Sequence, residues 1–183
     1  MQRVMIVGSP GAGKSTFSRA LAARTGLPLV HLDKEHWQPG WVEPPPELWR
    51  ARQAELVAGE RWIIDGNYGA TVAIRLARAD TVVLLDYPTP LCLWRTLRRI
   101  VAGYLGAVRA DLAPGCPERL DLEFLRYIAL FRRRKTPRLK ARLNDFPGTV
   151  VCFRRPREAA EWLSRLDDKA SEVVGTAYNP LAH

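Results

Sequence analysis

The residues from Gly8 to Ser15 have types and spacing that suit the binding of a nucleotide's phosphates. They read G-x-x-x-x-G-K-S, directly after a short apolar run and directly before a segment with helical periodicity. Glycines let such a loop fold tightly, so that its backbone N–H groups point inward, and the helix N-terminus adds a partial positive charge. The pattern predicts a phosphate-binding loop whose nucleotide contacts are Gly8, Pro10, Gly11, Ala12, Gly13, Lys14, Ser15 and Thr16.

Two side chains of this loop carry the expected chemistry. Lys14 is predicted to bridge the β- and γ-phosphates of ATP as a catalytic residue, and the Ser15 hydroxyl to coordinate Mg²⁺. The sequence contains no N-K-x-D motif, which argues against a switching GTPase. ATP and Mg²⁺ are therefore the expected nucleotide and metal.

The elements that must position these residues can be predicted from hydrophobic periodicity. Strands alternate with helices along the chain, which indicates an α/β fold with a parallel, doubly wound sheet and a ligand site at the carboxyl ends of its strands. The predicted strands are 4–7, 29–32, 62–64, 81–85 and 149–153. The predicted helices are 14–24, 47–58, 91–102, 121–134 and 157–166.

Length and composition indicate one globular domain. The chain has 183 residues, 47% of them hydrophobic and 26% charged, and no apolar stretch approaches the roughly 20 residues of a membrane helix. Its first apolar run, 4–7, is too short for a signal peptide, and its three cysteines form no metal-binding pair. We expect a cytoplasmic domain over 1–168 without a membrane partner, followed by a flexible tail over 169–183.

The positive charge is concentrated in one segment, 95–142. This segment holds 13 of the 28 lysines and arginines against four acidic residues, so it carries the whole net charge of +9. Eleven of the 13 are arginines, whose planar guanidinium binds phosphate oxygens in pairs. Either a nucleotide or a nucleic acid fits such a segment.

Several stretches of the chain resemble one family of enzymes. GSPGAGKST, LVHLD, WIIDGNY, VVLLDYP and the Arg-rich helix that follows are similar to the adenylate-kinase-related small P-loop kinases. HLDKEHWQPGW, WIIDGNY and GCPERLDLEFL bring the chain closest to the FlaR-type "topology modulation" group, over residues 3–166. The resemblance implies a P-loop NTPase with five parallel strands in the order 2-3-1-4-5, acting as a phosphotransferase on an undefined acceptor.

The resemblance implies roles for two aspartates. Asp65 matches the Asp-Gly pair of the kinases, where it reaches magnesium through water and borders the acceptor. Asp33, at the end of the second strand, corresponds to a carboxylate that orients or deprotonates an acceptor hydroxyl. A nucleoside monophosphate would need no such base, so the choice between nucleotide and hydroxyl acceptors stays open.

Arginines after the fourth strand are expected to act on the phosphates. Arg95, Arg98 and Arg99 share one helical face where adenylate kinases begin their lid, and an Arg-rich lid is predicted over about 103–120, including Arg109 and Arg119. The expected catalytic arginines are Arg95, Arg99 and, from the basic run at 132–135, Arg132. Asp86, by contrast, is expected to be structural.

The acceptor side is predicted to be aromatic. Trp37, Trp41 and Tyr68 follow the second and third strands and suit stacking on a base or an apolar substrate. The AMP-binding motifs of adenylate kinase are absent, so AMP specificity is not implied. Arg75 or Arg78 is the candidate to replace the missing acceptor-binding arginine.

Three functions are compatible with these residues. One is a kinase that transfers the γ-phosphoryl group of ATP to a small acceptor. Another is an ATP-binding protein associated with nucleic acid or regulation through segment 95–142, and a third is an ATPase without an acceptor. The oligomeric state is not predicted.

Overall fold

The computed structural model describes residues 1–107 and 110–175, so Arg109 and residues 176–183 lie outside the described part. Five parallel strands form one sheet in the order β2-β3-β1-β4-β5. The predicted α/β class, strand number and strand order are thereby confirmed. The strands are β1 (Arg3–Gly8), β2 (Leu29–His31), β3 (Trp62–Asp65), β4 (Thr81–Leu85) and β5 (Thr149–Phe153).

Helices connect the strands and cover the sheet. They are α1 (Lys14–Thr25), α2 (Leu32–His36), α3 (Pro46–Leu56), α4 (Val72–Leu76), α5 (Thr89–Tyr104), α6 (Leu122–Arg134), α7 (Thr136–Asn144) and α8 (Pro156–Gly175).

The sequence-based assignment missed three of these helices. Helices α2 and α4 have five residues each, too few to show a helical period. Helix α7 begins with a proline in its first turn, directly after α6, and so continues a basic stretch without a visible break. Helix α8 extends to Gly175, beyond residue 168, where we expected the domain to end.

The core lies on both faces of the sheet, with β1 at its centre. The side chains of β1 alternate between two clusters, Val4 and Ile6 in one with α1 and α8, and Met5 and Val7 in the other with α3 and α7. All four are at most 1% exposed. Burial on both faces explains why the strand is a continuous apolar run.

This topology brings three strand ends together. Ile6 of β1 pairs with Asp65 of β3, and Asp65 pairs with His31 of β2. The loop after β1, the Asp-Gly turn after β3 and helix α2 therefore meet at one edge of the sheet, as the strand order predicts. Among the described residues, no helix is long and apolar enough to span a membrane.

Candidate active site

Two side chains, those of Lys14 and Asn67, bond backbone groups at the start of the loop between β1 and α1. Lys14 Nζ donates to the carbonyl oxygens of Gly8 at 3.1 Å and of Ser9 at 3.3 Å. The carboxamide of Asn67, after β3, bonds both the N–H and the carbonyl of Gly8, at 3.2 and 2.9 Å. Asn67 was not predicted as a site residue, although it stands directly after the Asp-Gly pair.

Helix α5 packs against the other side of the loop. Gly11 has φ 77°, and a Cβ there would stand 2.2 Å from the carbonyl oxygen of Cys92, so only glycine fits. Arg95 Nη1 donates to the carbonyl oxygen of Ala12 at 3.1 Å, while its guanidinium lies over the ring of Tyr87. The structure thus places Arg95 directly beside the phosphate-binding loop.

The environment of Lys14 suits an anionic ligand. Burial lowers the pKa of its ammonium group, and the nearby carboxylates of Asp33 and Asp65 oppose this shift. A partly desolvated ammonium gains more from a phosphate than one in water does, because the effective dielectric constant is lower. The surroundings of Lys14 are therefore compatible with the predicted binding of phosphate.

One cleft of about 930 Å³ joins the loop to the acceptor side. The predicted residues that line it are Pro10, Gly11, Ala12, Gly13, Lys14, Ser15, Thr16, Asp33, Trp37, Trp41, Tyr68, Arg95 and Arg99. Four further predicted residues do not line it: Gly8, Asp65, Arg75 and Arg132.

On the acceptor side, Asp33 and Tyr68 form a pair. The Tyr68 hydroxyl donates to Asp33 Oδ1 at 2.9 Å. The Tyr68 ring packs against His36 and Trp49, with centroids 4.5 and 5.0 Å apart. Burial, reinforced by the charge of Asp33, raises the pKa of Tyr68, so the hydroxyl keeps its proton and remains a donor.

Asp65 lies beneath the cleft. Its side chain is 5% exposed, and its Oδ2 accepts from Ser18 Oγ and contacts His31 Nδ1 at 2.7 Å. It contributes electrostatically to the surroundings of Lys14. The predicted link from Asp65 through water to a metal or to the acceptor stays a prediction.

Arg75 does not face the cleft, contrary to its predicted acceptor contact. Its guanidinium is fully buried and donates to the carbonyl oxygens of Gly66, Asn67 and Tyr68. Burial lowers its pKa to about 10, so it stays charged at neutral pH. Arg75 shapes the turn that carries Asn67 and Tyr68, because it binds three successive carbonyls of that turn.

Arg132, predicted to be catalytic, is engaged outside the cleft. Its Nε lies 3.0 Å from Asp86 Oδ1, and Lys140 Nζ lies 2.7 Å from Asp86 Oδ2. Asp86 is 5% exposed and directly follows β4, so this pairing ties α6 and α7 to the sheet. Arg98 also turns away from the cleft, since it lies over the ring of exposed Trp94.

The described part of the predicted lid crosses the cleft between α5 and α6. Arg99 of α5, which lines the cleft, pairs with Glu118 at 2.8 Å. Asp111 Oδ2 accepts a hydrogen bond from Ser15 Oγ. Neither acidic residue was predicted, because nothing in a loop sequence shows which of its acids will face a ligand.

The lid also binds the loop that carries the acceptor-side tryptophans. Gly40 donates from its N–H to the carbonyl oxygen of Gly115 at 2.8 Å, and Trp41 donates from Nε1 to that of Pro117 at 3.0 Å. The Arg119 guanidinium lies over the Trp41 ring. The lid thus contacts both ends of the cleft.

A magnesium site would have to be built mainly from oxygen ligands of a nucleotide. In the described ranges, 1–107 and 110–175, no group of three or more His, Cys, Asp or Glu residues could hold a metal by itself. Mg²⁺ commonly binds one or two protein oxygens together with substrate phosphates and water. The Ser15 hydroxyl and its neighbouring carboxylate fit that donor set.

Fold and loop together define an α/β P-loop protein, and comparisons with known proteins agree. No protein-family profile matches the chain. A stretch of 61 residues is 41% identical to the shikimate kinase of Thermobifida fusca (strain YX), covering 30% of this chain and 36% of that enzyme. The match therefore spans little more than a third of that relative's length.

Solved structures resemble the chain over nearly its whole length. Shikimate kinase from Acinetobacter baumannii, in complex with shikimate, has a TM-score of 0.56 at 20% identity and covers 94% of each chain. Shikimate kinase from Bacteroides thetaiotaomicron has a TM-score of 0.54 at 17% identity, covering 93% of this chain and 98% of its own. Deoxyadenosine kinase from M. mycoides with bound dATP has a TM-score of 0.53 at 16% identity, covering 92% and 98%. The fold is that of small P-loop kinases.

Proposed function

We propose that this protein is a magnesium- and ATP-dependent kinase that phosphorylates a hydroxyl group of a small molecule. The observation that carries the proposal is the shared cleft, which joins the Lys14 loop to the Asp33–Tyr68 pair. A phosphate-binding loop without an acceptor site would suit an ATPase. A carboxylate opposite the loop, held by a neutral hydroxyl donor, suits the activation of an acceptor.

The proposed reaction needs few protein groups. Asp33 accepts the proton of the acceptor hydroxyl, the acceptor oxygen forms a bond to the γ-phosphorus, and the bond to the β-phosphate oxygen breaks to release ADP. Lys14 and Arg95 stabilise the negative charge of the phosphates. Magnesium, held at Ser15, would supply further charge neutralisation, and Asp65 would act behind it through water.

A hydroxyl compound is favoured over a nucleoside monophosphate by the position of Arg75. A monophosphate acceptor needs a cation on its phosphate, and neither predicted candidate is placed for it: Arg75 is buried on three carbonyl oxygens and Arg78 pairs with Glu60. Arg119, over the Trp41 ring, is the cation that such a phosphate would have to use. A hydroxyl acceptor needs a base, and Asp33 lines the cleft.

The walls of the acceptor side narrow the class of compound. Trp37 and Trp41 line the cleft with rings 5.3 Å apart, and Glu43 adds a carboxylate. Flat rings and hydrogen-bonding carboxylates suit a cyclic compound with several hydroxyls, such as a nucleoside or a carbocyclic polyol. Shikimate and deoxyadenosine, which appear in the names of the structural neighbours, are compounds of this kind.

The test is the release of ADP from Mg·ATP across a panel of nucleosides, cyclic polyols and nucleoside monophosphates. Lys14→Ala serves as the blank, and Asp33→Asn tests the base. We expect one hydroxyl compound to raise the rate far above the blank, and Asp33→Asn to lower that rate at least 100-fold. A monophosphate acceptor with normal turnover in Asp33→Asn would contradict the assigned role of Asp33.

We further propose that the protein is a member of the FlaR-type group and that it acts in the cytoplasm. Binding to nucleic acid remains the alternative, since α6 and α7 expose Arg126, Arg133, Arg134 and Arg138. Such binding would weaken steeply with salt and would not depend on ATP. ATP-independent, salt-sensitive binding to DNA together with a silent acceptor panel would favour it.

A further inference from the structure

Asp111 is the carboxylate that approaches the phosphate-binding loop most directly from the lid. Its Oδ2 lies 2.5 Å from Ser15 Oγ, across 96 residues of sequence, and both residues line the cleft. The contact comes from the long connection between α5 and α6, and it meets the one hydroxyl of the loop that the proposed function assigns to magnesium.

The separation of these two oxygens, 2.5 Å, is about 0.4 Å shorter than that of adjacent ligands of one magnesium ion. Mg²⁺ holds its octahedral ligands at about 2.0–2.1 Å, so two neighbouring ligand oxygens stand about 2.9 Å apart. A carboxylate oxygen in hydrogen-bond contact with Ser15 Oγ therefore needs only a small displacement to share an ion, or one of its waters, with that hydroxyl.

The other candidate carboxylate is less well placed. Asp65 lies below the cleft, and its Oδ2 is engaged by Ser18 and His31. Asp111 lies in the cleft itself, on the same side as Ser15.

The surrounding lid holds Asp111 in place. The contacts of Gly115 with Gly40, of Pro117 with Trp41 and of Glu118 with Arg99 anchor the segment just after it. These contacts connect the segment that carries Asp111 to the loop that carries Trp41. A change in nucleotide binding at Asp111 can therefore affect the position of that loop.

We propose that Asp111 is a lid-borne magnesium ligand that acts with Ser15, directly or through a metal-bound water. The proposal rests on the proposed function, because it needs Mg·ATP in the cleft. A carboxylate beside a bare triphosphate is repelled, whereas one beside a magnesium ion is attracted. Asp111 therefore favours the binding of Mg·ATP and opposes the binding of metal-free ATP.

The test compares the dissociation constant of a non-hydrolysable ATP analogue in Mg²⁺ and in EDTA, by calorimetry. In the wild type, Mg²⁺ tightens binding. In Asp111→Asn we expect that tightening to shrink about 10-fold or more, while the constant in EDTA stays the same or improves. Titration of Mn²⁺ into the protein with the analogue, followed by the EPR signal of free Mn²⁺, should show the same loss of metal affinity.

Asp121→Asn is the matched control. Asp121 also lines the cleft, but its side chain caps α6 by accepting from the Phe124 N–H at 3.0 Å, and asparagine caps a helix equally well. The same loss of one charge should leave the magnesium effect unchanged there. Circular dichroism and thermal unfolding establish that both variants are folded.

Three outcomes would overturn the proposal. If Asp111→Asn bound the analogue more tightly by the same factor in Mg²⁺ and in EDTA, the contact between Asp111 and Ser15 would only compete with the nucleotide. Unchanged constants in both conditions would leave only a hydrogen bond of the empty protein. A wild type that fails to bind the analogue in either condition would refute the proposed function itself, and this inference with it.

Discussion

Tyr68 and Asp33 are joined by a hydrogen bond of 2.9 Å that links the loop after β3 to helix α2. The bond directs one carboxylate oxygen and leaves the orientation of the group fixed at the acceptor side of the cleft. Removal of the hydroxyl in Tyr68→Phe keeps the ring packing on His36 and Trp49.

We expect Tyr68→Phe to lower kcat/KM for the acceptor by about 10- to 100-fold, since a hydrogen bond to a charged group is worth about 1.5–3 kcal/mol. The KM for ATP should stay within about 2-fold of wild type, because the change lies outside the phosphate-binding loop. Steady-state kinetics with the acceptor found by the panel provide the measurement. Tyr104→Phe is the matched control, since the Tyr104 hydroxyl, in a residue 67% exposed, accepts from the Leu120 N–H at 3.3 Å; this variant also loses one hydroxyl contact, but one that does not involve Asp33, and should change neither constant. An equal loss in both constants would point to a general disturbance of the cleft.

Arg75 is expected to be a determinant of stability. In Arg75→Met the carbonyls of Gly66, Asn67 and Tyr68 lose a charged donor in a buried place, which should lower the free energy of unfolding by about 3–5 kcal/mol. Urea denaturation measures the loss. Arg78→Met is the control: Arg78 is 40% exposed, pairs with exposed Glu60 and makes long contacts of 3.4 and 3.3 Å with the carbonyls of Val57 and Ala58, so its loss should cost about 1 kcal/mol. A selective rise in the acceptor KM with normal stability would restore the acceptor role predicted from sequence.

The pairing of Asp86 with Arg132 and Lys140 gives a second test of a sequence-based assignment. Asp86→Asn removes the charge that both cations share, and we expect it to lower the free energy of unfolding by about 1–3 kcal/mol. Arg132→Gln should cost less, because Arg132 is 45% exposed and Lys140 remains on the carboxylate.

Kinetics of the same variants separate the two roles of Arg132. A structural arginine predicts that Arg132→Gln retains kcat to within about 3-fold at a temperature where the variant is folded. A fall of 1000-fold or more would show that Arg132 acts on the phosphates after all, as expected for a residue that neutralises transition-state charge.

The sequence predicted the strands because buried parallel strands leave continuous apolar runs, as in Val4–Val7, whereas the strand order was implied by the family resemblance. It predicted the phosphate-binding loop because the local backbone demands glycine, as at Gly11 against the Cys92 carbonyl. Both signals lie within a few adjacent residues.

The sequence could not predict which groups the charged side chains contact. Arg75, Arg95 and Arg132 carry the same guanidinium, yet one is buried on carbonyls, one lies at the loop and one pairs with Asp86. Those outcomes depend on which groups the fold brings near, over separations of up to 96 residues for Asp111 and Ser15. Periodicity and local motifs contain no information about such contacts.

The burial of the Lys14 ammonium group should lower the free energy of unfolding of the empty protein. The pKa of this group is lowered by burial, so between its folded pKa and the ordinary value of 10.5 the unfolded chain binds more protons than the folded one. Stability linked to Lys14 therefore rises as pH increases through that interval, and at neutral pH the buried ammonium destabilises the empty protein. Lys14→Met should remove this penalty together with ATP binding.

We expect Lys14→Met to raise Tm at pH 7 by about 2–4 °C, which corresponds to about 1 kcal/mol for a chain of this size, and to raise it less at pH 10. The tyrosines whose pKa is raised by burial, such as Tyr87 at about 12, destabilise both proteins alike above pH 10, so the difference between the two isolates Lys14. Lys34→Met, at an exposed lysine, should leave Tm unchanged at both pH values. A Tm of Lys14→Met at or below wild type, or a gain that does not shrink with pH, would mean that the contacts of Lys14 with the Gly8 and Ser9 carbonyls outweigh its desolvation in the empty protein.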